Sequence, residues 1–142
     1  MPITKGFRVL VDQAMAEVKT YTVAEVLAKA ADKNADKVVQ IVDIRDVREL
    51  RNGTVTGSYH APRCMLEFWV DPESPYHKKI WADESKEFIL FCGAGWRSAL
   101  AAKTLQDMGM TNVAHIEGGY EAWVNAGAPT ETLEERKAKA AS

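Results

Sequence analysis

Phe88-Ile89-Leu90-Phe91-Cys92-Gly93-Ala94-Gly95-Trp96-Arg97-Ser98 is the stretch whose reading decides the fold. Four apolar residues run up to a cysteine. Two glycines follow within three residues, then an arginine, and a helical pattern runs from Ser98 to Met108. The unbroken apolar run predicts a buried strand. That strand delivers a thiol to the mouth of a tight loop, and the loop feeds straight into a helix N-terminus. Backbone N–H groups of such a loop point inward, and the helix adds partial positive charge. A thiol placed there ionises more readily than a free cysteine. Arg97 adds a full positive charge nearby. The pattern therefore predicts a nucleophilic thiolate in an anion cradle. An inert core thiol is the rival role for a cysteine at the end of an apolar run.

Working outward, Val38–Ile44 is a β-branched run of strand length, Gly57–Pro62 a short strand ended by proline, and Val113–Ile116 another short strand. Apolar spacing over 7–18 predicts an N-terminal helix. Thr22-Val23-Ala24-Glu25 is a capping-box pattern opening a second helix to about Ala31. A short helix spans Asp46–Arg51 and stops near Asn52-Gly53. Met65–Val70 is a short amphipathic turn or helix, and Gly118-Gly119 leads into a helix over Tyr120–Asn125. The charged, alanine-rich residues Glu131–Ser142 read as a frayed helix or tail. Strands alternating with helices imply an α/β fold, a mostly parallel sheet covered on both faces. Ligands of such sheets sit beyond the carboxyl ends of the strands. Asp43, His60 and Cys92 all fall near predicted strand ends.

The chain has 142 residues, 46% hydrophobic and 27% charged, which fits one soluble globular domain. A net charge of −2 leaves no basic footprint for nucleic acid. No apolar run is long enough to span a bilayer. The first residues do not look like a secretory signal. With two cysteines, the expectation is a reducing, cytoplasmic location with no structural disulfide. Cys64, Cys92, His60, His77 and His115 show no paired metal-ligand spacing, so no metal site is expected.

Four segments in order resemble the single-domain rhodaneses, a sulfurtransferase family. Asp43-Ile44-Arg45-Asp46-Val47-Arg48-Glu49 is similar to the family's acidic-Arg segment after the first central strand. Gly53–Arg63 is similar to its Gly-His-Ile-x-Gly-Ala…Pro stretch, with Thr54, Thr56 and Ser58 in place of the usual His, Pro and Ala. Cys92 to Ser98 resembles the active-site loop, and Asn112-Val113 with Gly118-Gly119…Trp123 the closing segment. The resemblance implies a rhodanese-like core over 21–128, with a helical extension at 1–20 and a charged tail at 129–142. It implies a double displacement. The Cys92 thiolate takes the outer sulfur of an anionic donor such as thiosulfate, and the persulfide passes it to cyanide or a thiol, including that of an acceptor protein. The backbone of Gly93, Ala94, Gly95, Trp96, Arg97 and Ser98 would hold the anion, with Arg97 on its oxyanion. No metal or organic cofactor is required. Related phosphatases use a wider Cys-x5-Arg loop, whereas the spacing here is Cys92-x4-Arg97.

Other roles stay open on the residues alone. Asp43 and Arg45 either line the pocket or form a structural ion pair. Arg63 either adds charge at the pocket mouth or pairs elsewhere. Cys64 is either an inert substitution or a redox partner of Cys92. Met65, Phe68 and Trp69 are core or an aromatic lid. His60 reads as a hydrogen-bonded structural histidine, and His77 and His115 carry no functional assignment. Trp96 is expected partly exposed at the pocket rim, with a packing role the alternative. The apolar face of 1–20 covers either the domain itself or a second copy, two-fold dimers being the commonest oligomer. A non-catalytic interaction module and a thiol redox sensor are the rival functions, with a phosphatase-like enzyme behind them.

Overall fold

A computed structural model describes residues 2–141. In chain order it contains α1 (Phe7–Glu17), β1 (Lys19–Tyr21), α2 (Val23–Ala31), β2 (Val38–Asp43), β3 (Thr54–Val55), β4 (Tyr59–His60), α3 (Leu66–Val70), β5 (Lys86–Phe91), α4 (Trp96–Asp107), β6 (Val113–Ile116), α5 (Gly119–Asn125), β7 (Thr130–Glu131) and α6 (Leu133–Ala141). Short 3-10 turns lie at Val47–Asn52, Arg63–Met65 and Lys79–Ala82.

Five strands form one sheet in the order β1-β6-β5-β2-β4, and every neighbouring pair is parallel. Side chains alternate between faces along a strand, and here the alternation sorts residues into two cores. Phe88 and Leu90 of β5 join Val42, Leu66, Val70, Ala101, Ala102 and Leu105 beneath α3 and α4. Ile89 and Phe91 join Val23, Val26, Ala114, Ile116 and Trp123 beneath α2 and α5. The sheet is mostly buried on both faces, as a parallel sheet must be, and the expected α/β architecture is the one that forms. The Thr22 capping box also forms: its hydroxyl accepts from the Glu25 N–H while the Glu25 carboxylate accepts from the Thr22 N–H, both at 3.1 Å.

The N-terminal helix covers the chain's own domain. Val11 and Ala14 of α1 bury against Ala99 of α4, with Leu100 alongside, while Phe7, Val9, Leu10 and Met15 remain exposed. Three strands were not legible in the sequence. β1 is a three-residue edge strand paired with β6. β3 and β7 are two residues each and pair antiparallel, Thr54 opposite Glu131. β7 also ties the start of the charged tail to the domain. Glu131 is buried, accepts from Arg136 Nε at 2.7 Å and pairs with Lys139 Nζ at 3.0 Å. These cations hold its carboxyl below the usual range despite the opposing effect of burial. No helix among the described residues is long and apolar enough to cross a membrane.

Candidate active site

β5 ends at Phe91 and α4 begins at Trp96, two residues earlier than the sequence pattern predicts. Gly95 makes that tight entry possible. It holds φ at +108°, a region that side chains rarely tolerate. The turn folds the loop back on its own cysteine. The Gly95 N–H donates to Cys92 Sγ at 3.1 Å, and the Ser98 N–H donates to it at 3.4 Å. Ser98 Oγ lies 3.6 Å from the sulfur. Cys92 itself is 1% exposed. First-turn N–H groups of a helix have no carbonyl partner within it, so the start of α4 adds donors and partial positive charge beside the thiol.

The loop is backed from behind by the turn into α5. The Tyr120 N–H donates to the Cys92 carbonyl at 2.8 Å, and the Glu121 N–H donates to the Gly93 carbonyl at 3.1 Å. Gly119 holds φ at +59°, and a Cβ there would meet the Cys92 carbonyl oxygen at 2.5 Å. Backbone therefore packs directly on backbone, which explains the second glycine of Gly118-Gly119.

Arg97 sits beside Gly93, where an added Cβ would lie 3.3 Å from its Nη2. Its guanidinium makes a two-pronged ion pair with Glu49, at 2.8 and 3.0 Å. That pairing holds the Glu49 carboxyl below the usual range. Glu49 is a site neighbour that sequence reading did not single out. Trp96 is 49% exposed, at the loop shoulder. Its ring meets Phe7 at 5.1 Å between centroids, and the Arg8 guanidinium lies 5.1 Å above it. The N-terminal extension thus reaches the rim of the loop. Ala94, Gly95 and Trp96 line a hollow of about 210 Å³ together with Val11, Met15 and His115.

Asp43 and Arg45 do not open onto this hollow. Both are buried and locked together, Arg45 Nη2 standing 2.9 Å from Asp43 Oδ2. Arg45 also donates to the Gly53 carbonyl at 2.9 Å and lies 4.3 Å from the Tyr120 ring centroid. The Thr54 hydroxyl donates to Asp43 at 2.7 Å. The pair ties β2 to the start of β3 and to α5, a strut between the three. Arg63 pairs with Glu67 at 2.8 Å along one helical face. His60 Nε2 lies 2.8 Å from the Arg45 carbonyl, matching its reading as a structural histidine. Cys64 is exposed, and both cysteines are free thiols. Trp69 packs on the core beside Tyr59, whereas Phe68 is exposed against Tyr76.

His115 is the residue that sequence reading passed over. It is 1% exposed on β6. Its Nδ1 is 3.0 Å from Ser98 Oγ and its Nε2 is 3.0 Å from Thr20 Oγ1. Burial lowers its pKa to about 4. The signal for it was strand parity. Val113 belongs to the α4 face and Ala114 and Ile116 to the other, so His115 points at α4. Among the described residues no group of three or more His, Cys, Asp or Glu is placed to hold a metal ion. A larger hollow of about 670 Å³ opens near Lys37, Trp81 and Asn112, and no cysteine or histidine lines it.

A parallel α/β domain whose central strand ends in a cysteine loop, cradled by N–H groups at a helix start, is a thiol-loop fold. The chain belongs to the rhodanese-like domain family, whose sequence profile matches residues 22–126. The thiosulfate sulfurtransferase GlpE of Shewanella oneidensis is 33% identical over 92 residues, 65% of this chain and 82% of that protein. An uncharacterised Synechocystis protein is 31% identical over 98 residues, 69% of this chain, and the match spans only 49% of that relative. Among solved structures, a Rhodopseudomonas palustris protein of unknown function, described as a possible tyrosine phosphatase, superposes with a TM-score of 0.84. It is 49% identical, over 92% of this chain and 98% of that one.

Proposed function

We propose that this protein is a sulfurtransferase that carries sulfane sulfur on Cys92. The observation that supports this best is the pair of N–H donors, from Gly95 and Ser98, aimed at the buried Cys92 sulfur. Such donors favour the thiolate, which is the reactive form. In the first half-reaction the thiolate attacks the outer sulfur of thiosulfate or a related persulfide. A new S–S bond forms, the old one breaks, and its electron pair leaves on sulfite or the donor thiolate. In the second, cyanide or an acceptor thiolate attacks the outer sulfur of the persulfide and Cys92 leaves as thiolate. The loop amides offset the negative charge in both steps.

In this reading Arg97 meets the donor's oxyanion, and in the structure its guanidinium is paired with Glu49. A donor must share or displace that carboxylate. With four residues between Cys92 and Arg97, the loop suits a sulfur atom rather than a phosphoryl group. Intact mass of reduced protein after brief thiosulfate treatment tests the reading. A gain of about 32 Da on the wild type, absent from Cys92→Ser, is the expected result. No gain on either protein moves the balance to an interaction module. Hydrolysis of an aryl phosphate by the same preparation would support the phosphatase reading instead.

A further inference from the structure

Ser98 Oγ has one proton and several claims upon it. It lies 3.6 Å from Cys92 Sγ, 3.3 Å from the Gly95 carbonyl and 3.0 Å from His115 Nδ1. A neutral imidazole has one N–H and one bare nitrogen. If Nδ1 is bare, it accepts the Ser98 proton, and the hydroxyl has nothing left to donate to sulfur. If Nδ1 carries the proton, it donates to Ser98 Oγ and the serine proton is free to turn to the sulfur. Thr20 Oγ1, 3.0 Å from Nε2, can then donate to that bare nitrogen. Which nitrogen is protonated thus decides whether the Ser98 proton can reach the sulfur, the Gly95 carbonyl at 3.3 Å being then its only rival acceptor among these groups.

We propose that His115, anchored by Thr20, is a positioning residue of the Cys92 site, turning the Ser98 hydroxyl toward the sulfur when the thiol ionises. The proposal rests on Cys92 being the sulfur carrier only for its use in transfer; the effect on the thiol stands apart from any donor. Burial lowers the His115 pKa to about 4, so the ring is neutral at working pH. The balance closes without charging it. One proton leaves the thiol for water, and the ring's single N–H passes from the Thr20 side to the Ser98 side. The register explains the assembly: His115 pairs with Thr20 across β1 and with Leu90 across β5, two residues before the cysteine.

The test reads the thiol directly. The alkylation rate of Cys92 by iodoacetamide is followed against pH by intact mass, in a Cys64→Ser background because Cys64 is exposed. The charged groups around the site stay the same throughout: Arg97 with Glu49 at the mouth, Arg45 behind Glu49, Asp12 of α1, and Glu117 after β6. Ser98→Ala and His115→Leu are expected to move the profile up by about one pH unit, a tenfold smaller thiolate fraction on its rising limb. His115→Asn keeps an N–H near the Nδ1 position and is expected to restore at least half of that shift. Superimposable profiles for wild type and His115→Leu, or equal shifts for Leu and Asn, would overturn the proposal. Should these variants fail to fold, ¹⁵N shifts of the wild-type imidazole decide it. The Nδ1–H tautomer is expected once Cys92 is ionised, and an Nε2–H ring at every pH refutes the assignment. No sulfur donor enters either experiment, so a failure of sulfur transfer leaves this result standing, and the reverse holds too.

Discussion

Gly119→Ala isolates what holds the cysteine loop in place. The alanine would have to sit at φ +59° with its Cβ 2.5 Å from the Cys92 oxygen and 2.8 Å from the Gly93 oxygen. The left-handed conformation alone costs about 1–2 kcal/mol. The clash is with backbone, so relief requires the loop and α5 to part. Parting loosens the Tyr120 to Cys92 bond at 2.8 Å and the Glu121 to Gly93 bond at 3.1 Å. At about 1 kcal/mol each, the total reaches roughly 3–4 kcal/mol. Gly127→Ala is the control: φ is +72°, yet nothing lies within 4 Å of the new Cβ, leaving only the conformational cost of about 1–2 kcal/mol. Urea unfolding with m held common to the set measures both. Gly119→Ala should be the weaker variant by about 2 kcal/mol, roughly 6 °C in thermal midpoint for a chain of this size. Its Cys92 alkylation should also slow as the cradle opens. Equal destabilisation by the two substitutions would refute the idea that backbone-on-backbone packing sets the loop.

Other expectations follow from the same geometry. Arg45→Met strands a buried Asp43 charge and should cost about 3–5 kcal/mol in thermal or urea unfolding; a loss under 1 kcal/mol would show that the strut is dispensable. Glu49→Gln releases Arg97 from a half-exposed ion pair worth at most about 1 kcal/mol. The KM for thiosulfate should therefore fall by up to about fivefold, and a rise in KM would mean that Glu49 helps hold the donor. His115 supplies a pH dependence of stability. Its pKa lies near 4 in the folded protein against 6.5 for the free side chain, so between those values the unfolded chain binds the extra proton. Stability from this group is complete above about pH 6.5 and falls by about 3 kcal/mol as pH drops to 4. His115→Asn should flatten that part of the curve; an unchanged slope would assign the acid loss to other groups.

The cysteine loop, the central strands and the cap of α2 were legible because local rules specify them. A four-residue apolar run, a glycine pair and a Thr-x-x-Glu box each act within a few residues. His60 was read as structural on its chemistry, and its bond to the Arg45 carbonyl agrees. The Arg97–Glu49 pair, β1 and the β3–β7 pair were not legible. Each joins short or polar segments far apart in the chain, and a strand of two or three residues carries no periodic signal. Glu131 looked like one more charge in a solvated tail until β7 buried it beside β3 and α6 supplied its cations.

The amino-acid sequence by itself determined that a buried strand hands a thiol to a glycine loop at a helix start, because burial, turn chemistry and helix polarity are local properties. Only the tertiary structure decided which groups surround that thiol. Parallel pairing of β1, β5 and β6 brings Thr20, Leu90 and His115 into one row. Strand parity then turns the imidazole toward Ser98, two residues inside the helix that begins at Trp96. Register and parity between distant strands are set by how whole faces bury, so they emerge only when the sheet assembles.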